Sequence, residues 1–225
     1  MKDTIIRLQN VNKAYPTKDG PFYAACDVSL EVASGEFLMI MGKSGCGKST
    51  LLNILGFIDS FEEGSYFWEG EDVRKMGRNQ LAKIRLSKVG YIYQAYNLID
   101  ELNCMENVEL VMGYAGVKKS ERRKRARKLL QQVGLIEKAN LYPQELSGGQ
   151  QQRIAIARAI SNNPRVILAD EPTGNLDYHT GIQVMNILKR LNHEGITIVM
   201  VTHDQELTNY ASRIITMRDG KVMPY

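Results

Sequence analysis

The chain has 225 residues, with 29 Lys and Arg against 25 Asp and Glu, a formal net charge of +4. That length holds one large α/β domain with a substantial core, and the apolar and charged fractions, 44% and 24%, are those of a soluble globular protein. No window approaches the ~18–20 apolar residues that span a bilayer, and Met1 to Ile6 contains no signal-peptide hydrophobic region. The polypeptide is therefore expected not to cross a membrane by itself, while remaining able to dock on one. Cys26, Cys46 and Cys104 are odd in number and scattered, with neither metal-ligand spacing nor a disulfide framework, so a reducing cytoplasmic compartment is expected.

In chain order, residues 4–40 read as β-rich. Thr4 to Val11 and Ala24 to Val32 have strand composition, separated by a turn-rich stretch containing Pro16, Gly20 and Pro21. Phe37 to Met41 is a continuous apolar run, as a strand covered on both faces requires, and it feeds directly into Gly42. Lys48 to Gly56 reads as a helix. From about 80 to 160 the pattern is mostly helical, apart from an apolar strand at Val89 to Tyr93. Within this block, Lys118 to Lys128 is strongly basic. We read it as a solvated helix face rather than a nucleic-acid surface, because Leu129, Leu130 and Val133 follow at helical spacing and no base-stacking aromatics are interleaved. Val166 to Ala169 is a second buried strand, followed by a helix at about 179–193 and an apolar strand, Ile196 to Val201. Buried strands alternating with helices imply a mostly parallel sheet covered by helices, and the middle block interrupts it as a helical subdomain.

Three motifs carry chemistry. Gly42, Lys43, Ser44, Gly45, Cys46, Gly47, Lys48 and Ser49 satisfy G-x-x-x-x-G-K-S between a strand and a helix, and Thr50 continues into the helix. Glycines there let backbone N–H groups turn inward to form an anion cradle at a helix N-terminus. Lys48 is expected to reach the β- and γ-phosphates and Ser49 to ligate Mg²⁺. Cys46, inside the cradle, is either a small side chain required for space or a thiol made reactive by the helix dipole. The second motif is the strand end Asp170-Glu171. Two adjacent carboxylates at a buried strand's edge are costly without a cation, so Asp170 is expected to hold Mg²⁺ through its water shell and Glu171 to polarise the attacking water. The third is Leu146-Ser147-Gly148-Gly149-Gln150, in which Ser147 suits an N-cap and two glycines allow close approach to an anion. A triphosphate has one γ-phosphate, so two separate cradles in one chain suggest that each nucleotide is shared between two copies.

On these residues the sequence resembles the nucleotide-binding domain of ABC transporters, over essentially the whole chain. That resemblance implies further roles. Gln94 matches the glutamine that links Mg²⁺ to the surface where a membrane partner docks. Asn175-Leu176-Asp177 matches the segment that contacts the opposite site of a dimer, His203 the histidine that contacts the γ-phosphate, and Tyr15 the aromatic that stacks on adenine. Read alone, His203 is a surface or structural residue. It gains weight because Thr202-His203-Asp204 ends a buried strand at the same sheet edge as Asp170. His179 and His193 match nothing. Asp170 to Asp177, Glu106 to Leu110 and the Arg-rich helix after them resemble the MacB/LolD group, whose members often transmit force to an extracytoplasmic domain. Lys43 departs from the proline of many relatives and adds charge beside the phosphates.

The expected fold is a phosphate-loop NTPase core with a mostly parallel sheet, an N-terminal antiparallel β subdomain and an inserted helical subdomain. One ABC ATPase domain of 1–225 is expected, with the core in about 1–90 and 160–225 and the helical part in about 95–160. The expected activity is ATP hydrolysis with ATP and Mg²⁺, the catalytic residues being Lys48, Glu171 and His203. Mg²⁺ would be held by Ser49, Gln94 and Asp170. Nucleotide would be held by Tyr15, Gly42 to Thr50 and Gln94, and by Ser147, Gly148, Gly149, Gln150 and Asp177 acting across a homodimer. The partner is a separate permease docking near Gln94, with no nucleic acid, and the location is the cytoplasmic face of the membrane. A translation or DNA-repair ATPase is the rival. It is disfavoured by the single signature and by a 94–146 stretch too short for a long coiled coil. A non-catalytic regulator would be expected to lack Glu171 or His203. With so few residues after Gly220, no C-terminal regulatory domain is expected.

Overall fold

The computed structural model describes residues 3–18 and 20–224. Met1, Lys2, Asp19 and Tyr225, which the expected domain of 1–225 includes, lie outside the described residues.

The chain opens with β1 (Thr4–Thr17) and β2 (Gly20–Ala33), paired antiparallel along their whole length. The expected turn-rich gap between them is instead strand. Pro16 and Pro21 face each other in the ladder, and pairing continues to Thr17 opposite Gly20. Proline lacks an N–H, so it is tolerated at the closed, hairpin end of this ladder, where no central pairing is lost. Next, β3 (Phe37–Met41) enters the phosphate loop and α1 (Lys48–Leu55). Two further strands, β4 (Glu63–Trp68) and β5 (Glu71–Asp72), complete a four-stranded antiparallel sheet in the order β2-β1-β4-β5.

After α2 (Arg78–Lys88) and β6 (Val89–Ile92) come three helices, α3 (Cys104–Tyr114), α4 (Lys119–Gln132) and α5 (Gly148–Ala159). The chain then runs through β7 (Val166–Asp170), α6 (Tyr178–His193), β8 (Thr197–Thr202), β9 (Arg213–Arg218) and β10 (Lys221–Pro224). These strands form a six-stranded sheet in the order β10-β9-β3-β8-β7-β6, parallel except for the β9–β10 edge pair.

The apolar run of β3 has the expected consequence. Leu38 and Ile40 face one core with Leu51, Leu55, Tyr66 and Trp68, while Phe37, Met39 and Met41 face another with Ile167, Val184 and Leu188. At ~1.5–3 kcal/mol for each large apolar side chain removed from water, the two faces together clamp β3 between the antiparallel sheet and α6. Helices α3 to α5 enclose a third core, built on Met105, Val108, Met112, Leu130 and Ile154. Helix α2 does not belong to it, because Leu81 and Ile84 pack on the core shared by the two sheets. The basic run lies on α4 as expected: Ala126 and Leu130 are buried, and Arg123, Lys124, Arg127 and Lys128 are exposed. Inside this block, fully buried Asn107 ties the incoming loop to α3. It accepts a hydrogen bond from Ile99 N and donates to the carbonyls of Ile99, Leu102 and Asn103.

Candidate active site

The functional residues cluster where the parallel strands end. Strand β3 delivers the phosphate loop and β7 delivers Asp170 and Glu171, while β8 ends just before His203. Helix α1 has Gly47 as its N-cap, with no side-chain hydrogen bond to its first turn. The orphan N–H groups of that turn are therefore available to an anion. Gly47 is required twice over: its φ is +103°, and a Cβ there would lie 2.0 Å from the Ala24 carbonyl oxygen.

Lys48 is buried, and its ammonium donates to the carbonyls of Gly42 (2.8 Å) and Lys43 (3.0 Å). It lies 3.8 Å from Glu171 Oε1. Ser49 Oγ donates to Asp170 Oδ1 at 3.1 Å. Burial raises the Asp170 carboxyl above the usual carboxylate range, and the neighbouring Glu171 adds to this, against the Ser49 hydrogen bond and Lys48. A hydroxyl and a carboxylate presented together are hard oxygen donors, the chemistry that Mg²⁺ takes. Glu171 occupies the left-handed region, with φ 44°, while its N–H is tied to the Val201 carbonyl at 3.0 Å. Its Oε2 meets His203 Nδ1 at 2.7 Å. A strained backbone held in place on both sides is one way a structure fixes a side chain's aim.

A cleft of about 270 Å³ is lined by Ser44, Gly45, Gly47, Lys48, Ser49, Thr50, Gln94, Asp170 and Glu171, together with Phe22. The structure thus brings most of the expected phosphate and metal residues to one place. Gln94 joins through β6, and it and Asn175 form a reciprocal amide pair: Gln94 Nε2 donates to Asn175 Oδ1 (3.3 Å), and Asn175 Nδ2 donates to Gln94 O (3.1 Å). Cys46 is half-buried against the core beneath the loop.

Other expected residues lie elsewhere. Ser147 N-caps α5 in a capping box with Gln150, and neither lines the cleft. Gly149 is buried, and a Cβ there would sit 1.9 Å from Thr180 Cγ2, so its bare backbone is what lets α5 and α6 approach. Asp177 N-caps α6 by accepting from Thr180 N at 3.1 Å, and those Thr180 hydrogen bonds hold its carboxyl below the usual range. Tyr15 stands opposite Phe22 in the β1–β2 ladder, but it is Phe22 that lines the cleft. Sequence reasoning missed Phe22, whose only signal was that β2 starts earlier than its composition shows. It also missed buried Gln152, whose Nε2 bridges the carbonyls of Pro172 (2.6 Å) and Tyr93 (3.4 Å) and so joins the loops after β7 and β6.

The family model for ABC transporters matches residues 25–174. The chain belongs to the ABC transporter family. It is 52% identical to an uncharacterized ABC transporter ATP-binding protein of Methanocaldococcus jannaschii, over 97% of this chain and 98% of that one. It is 45% identical to the macrolide export ATP-binding/permease protein MacB of Agrobacterium fabrum, over 99% of this chain. The chain spans only 34% of that longer protein. Among solved structures it is similar to the ATP-binding cassette MJ0796, in a dimeric post-hydrolysis state bound to ADP and Pi, with a TM-score of 0.89 and 44% identity over 96% of both chains. The ABC cassette fold expected from the sequence is therefore the fold observed. The chain is an ATP-binding subunit of an ABC transporter, and its enzyme class is ATPase. Among the described residues, no helix is long and apolar enough to cross a membrane.

Proposed function

We propose that this subunit works as an ATP-closed homodimer that drives a separate permease of the MacB/LolD type from the cytoplasmic face of the membrane. The observation that carries this reading is the split between the two anion-binding helix ends. The phosphate loop lines the cleft, whereas Ser147 and Gly148 do not, which leaves the signature available to a second copy. The dimeric form of the similar MJ0796 cassette supports this arrangement.

In the mechanism, the N–H groups of the phosphate loop and Lys48 receive the β- and γ-phosphates. Ser49 and Asp170, with Gln94, are suited to hold Mg²⁺, which would neutralise charge on the phosphates. Glu171, fixed by His203 on one oxygen and near Lys48 on the other, is placed to orient or deprotonate the attacking water. His203, with a largely exposed side chain, is free to turn toward the transferred phosphoryl group. Closing the dimer would move a second cleft of about 400 Å³, lined by Ile58, Arg85, Leu86, Tyr93, Leu110 and Arg158. It lies beside the Gln94 segment and between the core and the helical block, where a permease's cytoplasmic helix would dock.

Glu171→Gln tests the shared site. The variant is expected to form a stable dimer in ATP by light scattering, with hydrolysis lowered on the order of a hundredfold or more. A protein that remains monomeric in ATP would count against shared nucleotides.

A further inference from the structure

Tyr15 is tethered. Its hydroxyl donates to Asp59 Oδ2 at 2.5 Å, across 44 residues of sequence. Asp59 belongs to the turn that ends α1, where the N–H groups of Ile58 and Asp59 both bond the Asn53 carbonyl, at 2.9 and 3.2 Å. The bond therefore joins the antiparallel sheet, which carries Tyr15, to the helix that presents Lys48 and Ser49. The other Asp59 oxygen accepts from Ser60 N (2.7 Å) and meets the ammonium of buried Lys13 at 3.2 Å. Lys13 is also paired with Glu62 at 3.2 Å, and its ammonium lies 5.0 Å from the centre of the Tyr15 ring. With the cation over one face, a second flat group would have to stack on the other.

We infer that Asp59, backed by Lys13, is a positioning residue that sets the Tyr15 ring as the platform for the nucleotide base, in fixed register with the phosphate loop. The inference rests on reading Tyr15 as that platform. The electrostatics agree with the geometry. Burial pushes the Asp59 carboxyl up, but the hydrogen bonds from Tyr15, Ser60 and Lys13 outweigh it, and the group ends below its usual range. Burial, with the Asp59 hydrogen bond added and against a Thr50 hydrogen bond and Lys13, pushes the Tyr15 hydroxyl up, so it remains a donor. This is a charge-assisted bond, of the stronger kind. Without it the ring must be ordered each time a base arrives.

The test is steady-state ATPase kinetics of the purified protein with Tyr15→Ala, Tyr15→Phe, Asp59→Ala, Asp59→Asn and the Tyr15→Phe/Asp59→Ala double variant, together with inhibition by inorganic tripolyphosphate, which has no base. Asp59→Ala and Tyr15→Phe should each raise KM for ATP about three- to tenfold, the change falling in KM rather than kcat. The double variant should be no worse than either single one, since both remove the same bond. Asp59→Asn, which keeps an acceptor, should recover part of the loss, and tripolyphosphate inhibition should not move. If Tyr15→Ala leaves KM unchanged, Tyr15 is not the platform. If Tyr15→Ala raises KM while Asp59→Ala does not, or the two effects add, or tripolyphosphate weakens equally, the tether is wrong. Should Asp59→Ala fail to fold, Tyr15→Phe against Asp59→Asn decides the matter: equal KM to wild type in both overturns the inference.

Discussion

Glu171 is held tightly in the cleft. Its φ of 44°, its N–H bond to Val201 and its contacts with His203 and Lys48 leave it little freedom. Replacing His203 with Ala removes the 2.7 Å contact without altering the strand, so kcat should fall by about 10²-fold or more while ATP binding, measured by equilibrium titration, stays within about threefold. Cys46 is a second test at this scale. A maleimide added to its thiol would crowd the phosphate loop, where even a Cβ at Gly42 or Gly47 would meet a backbone oxygen at 2.3 or 2.0 Å. Alkylation should therefore abolish ATPase activity, and saturating ATP should slow the modification; equal labelling with and without ATP would show that Cys46 lies outside the occupied site. Residues of this kind were legible in the sequence because their chemistry is local. A phosphate loop needs its glycines and Lys48 within eight positions, and the acidic pair needs only a buried strand before it. Asp59 and Phe22 were not legible, because each owes its role to a partner brought near by pairing or by a turn, and no local pattern marks that.

Among the elements, α5 shows how one helix end serves two demands. Ser147 and Gln150 complete a capping box, which fixes where the helix begins, while Gly149 allows α6 to approach. Gly149→Ala should destabilise the protein by about 1–3 kcal/mol in chemical denaturation, since Thr180 Cγ2 occupies the position the new methyl needs. Thr180→Ser removes that methyl and keeps the backbone donor to Asp177, so the double variant should regain most of the loss. The element types were readable from periodicity: the apolar runs at 37–41, 166–169 and 196–201 are strands, and the Arg-rich stretch is an amphipathic helix. The first hairpin was misread because prolines and glycine suggest a loop. Pairing between β1 and β2 overrode that local signal, with Pro16 and Pro21 placed at the hairpin end of the ladder.

For the molecule as a whole, the cleft proposed for docking lies apart from the phosphate loop. The acidic strand end and phosphate loop sit on one edge of the parallel sheet, and the apolar cleft lies between α2 and α3, joined to that edge through the loops bridged by Gln152. Ile58→Glu, which puts a charge into that cleft, should prevent co-purification with the cognate permease while ATP-driven dimerisation by light scattering persists. Retention of the complex would place the docking surface elsewhere. The order of motifs along the chain made the ABC architecture visible in advance, but neither the groove's walls nor the Gln152 bridge follows from that order, since both arise where distant segments meet.

The helical block closes over an apolar interior of its own, sharing little with the layers on either side of β3. Substitutions on the inner faces of α3 and α4 therefore fall mainly on that third core, with Leu129 and α5 as the links to the layer beneath β3. On the proposed docking role, a lineage would be able to change charges and aromatics on the outer face of this block while leaving the packing around β3 as it is.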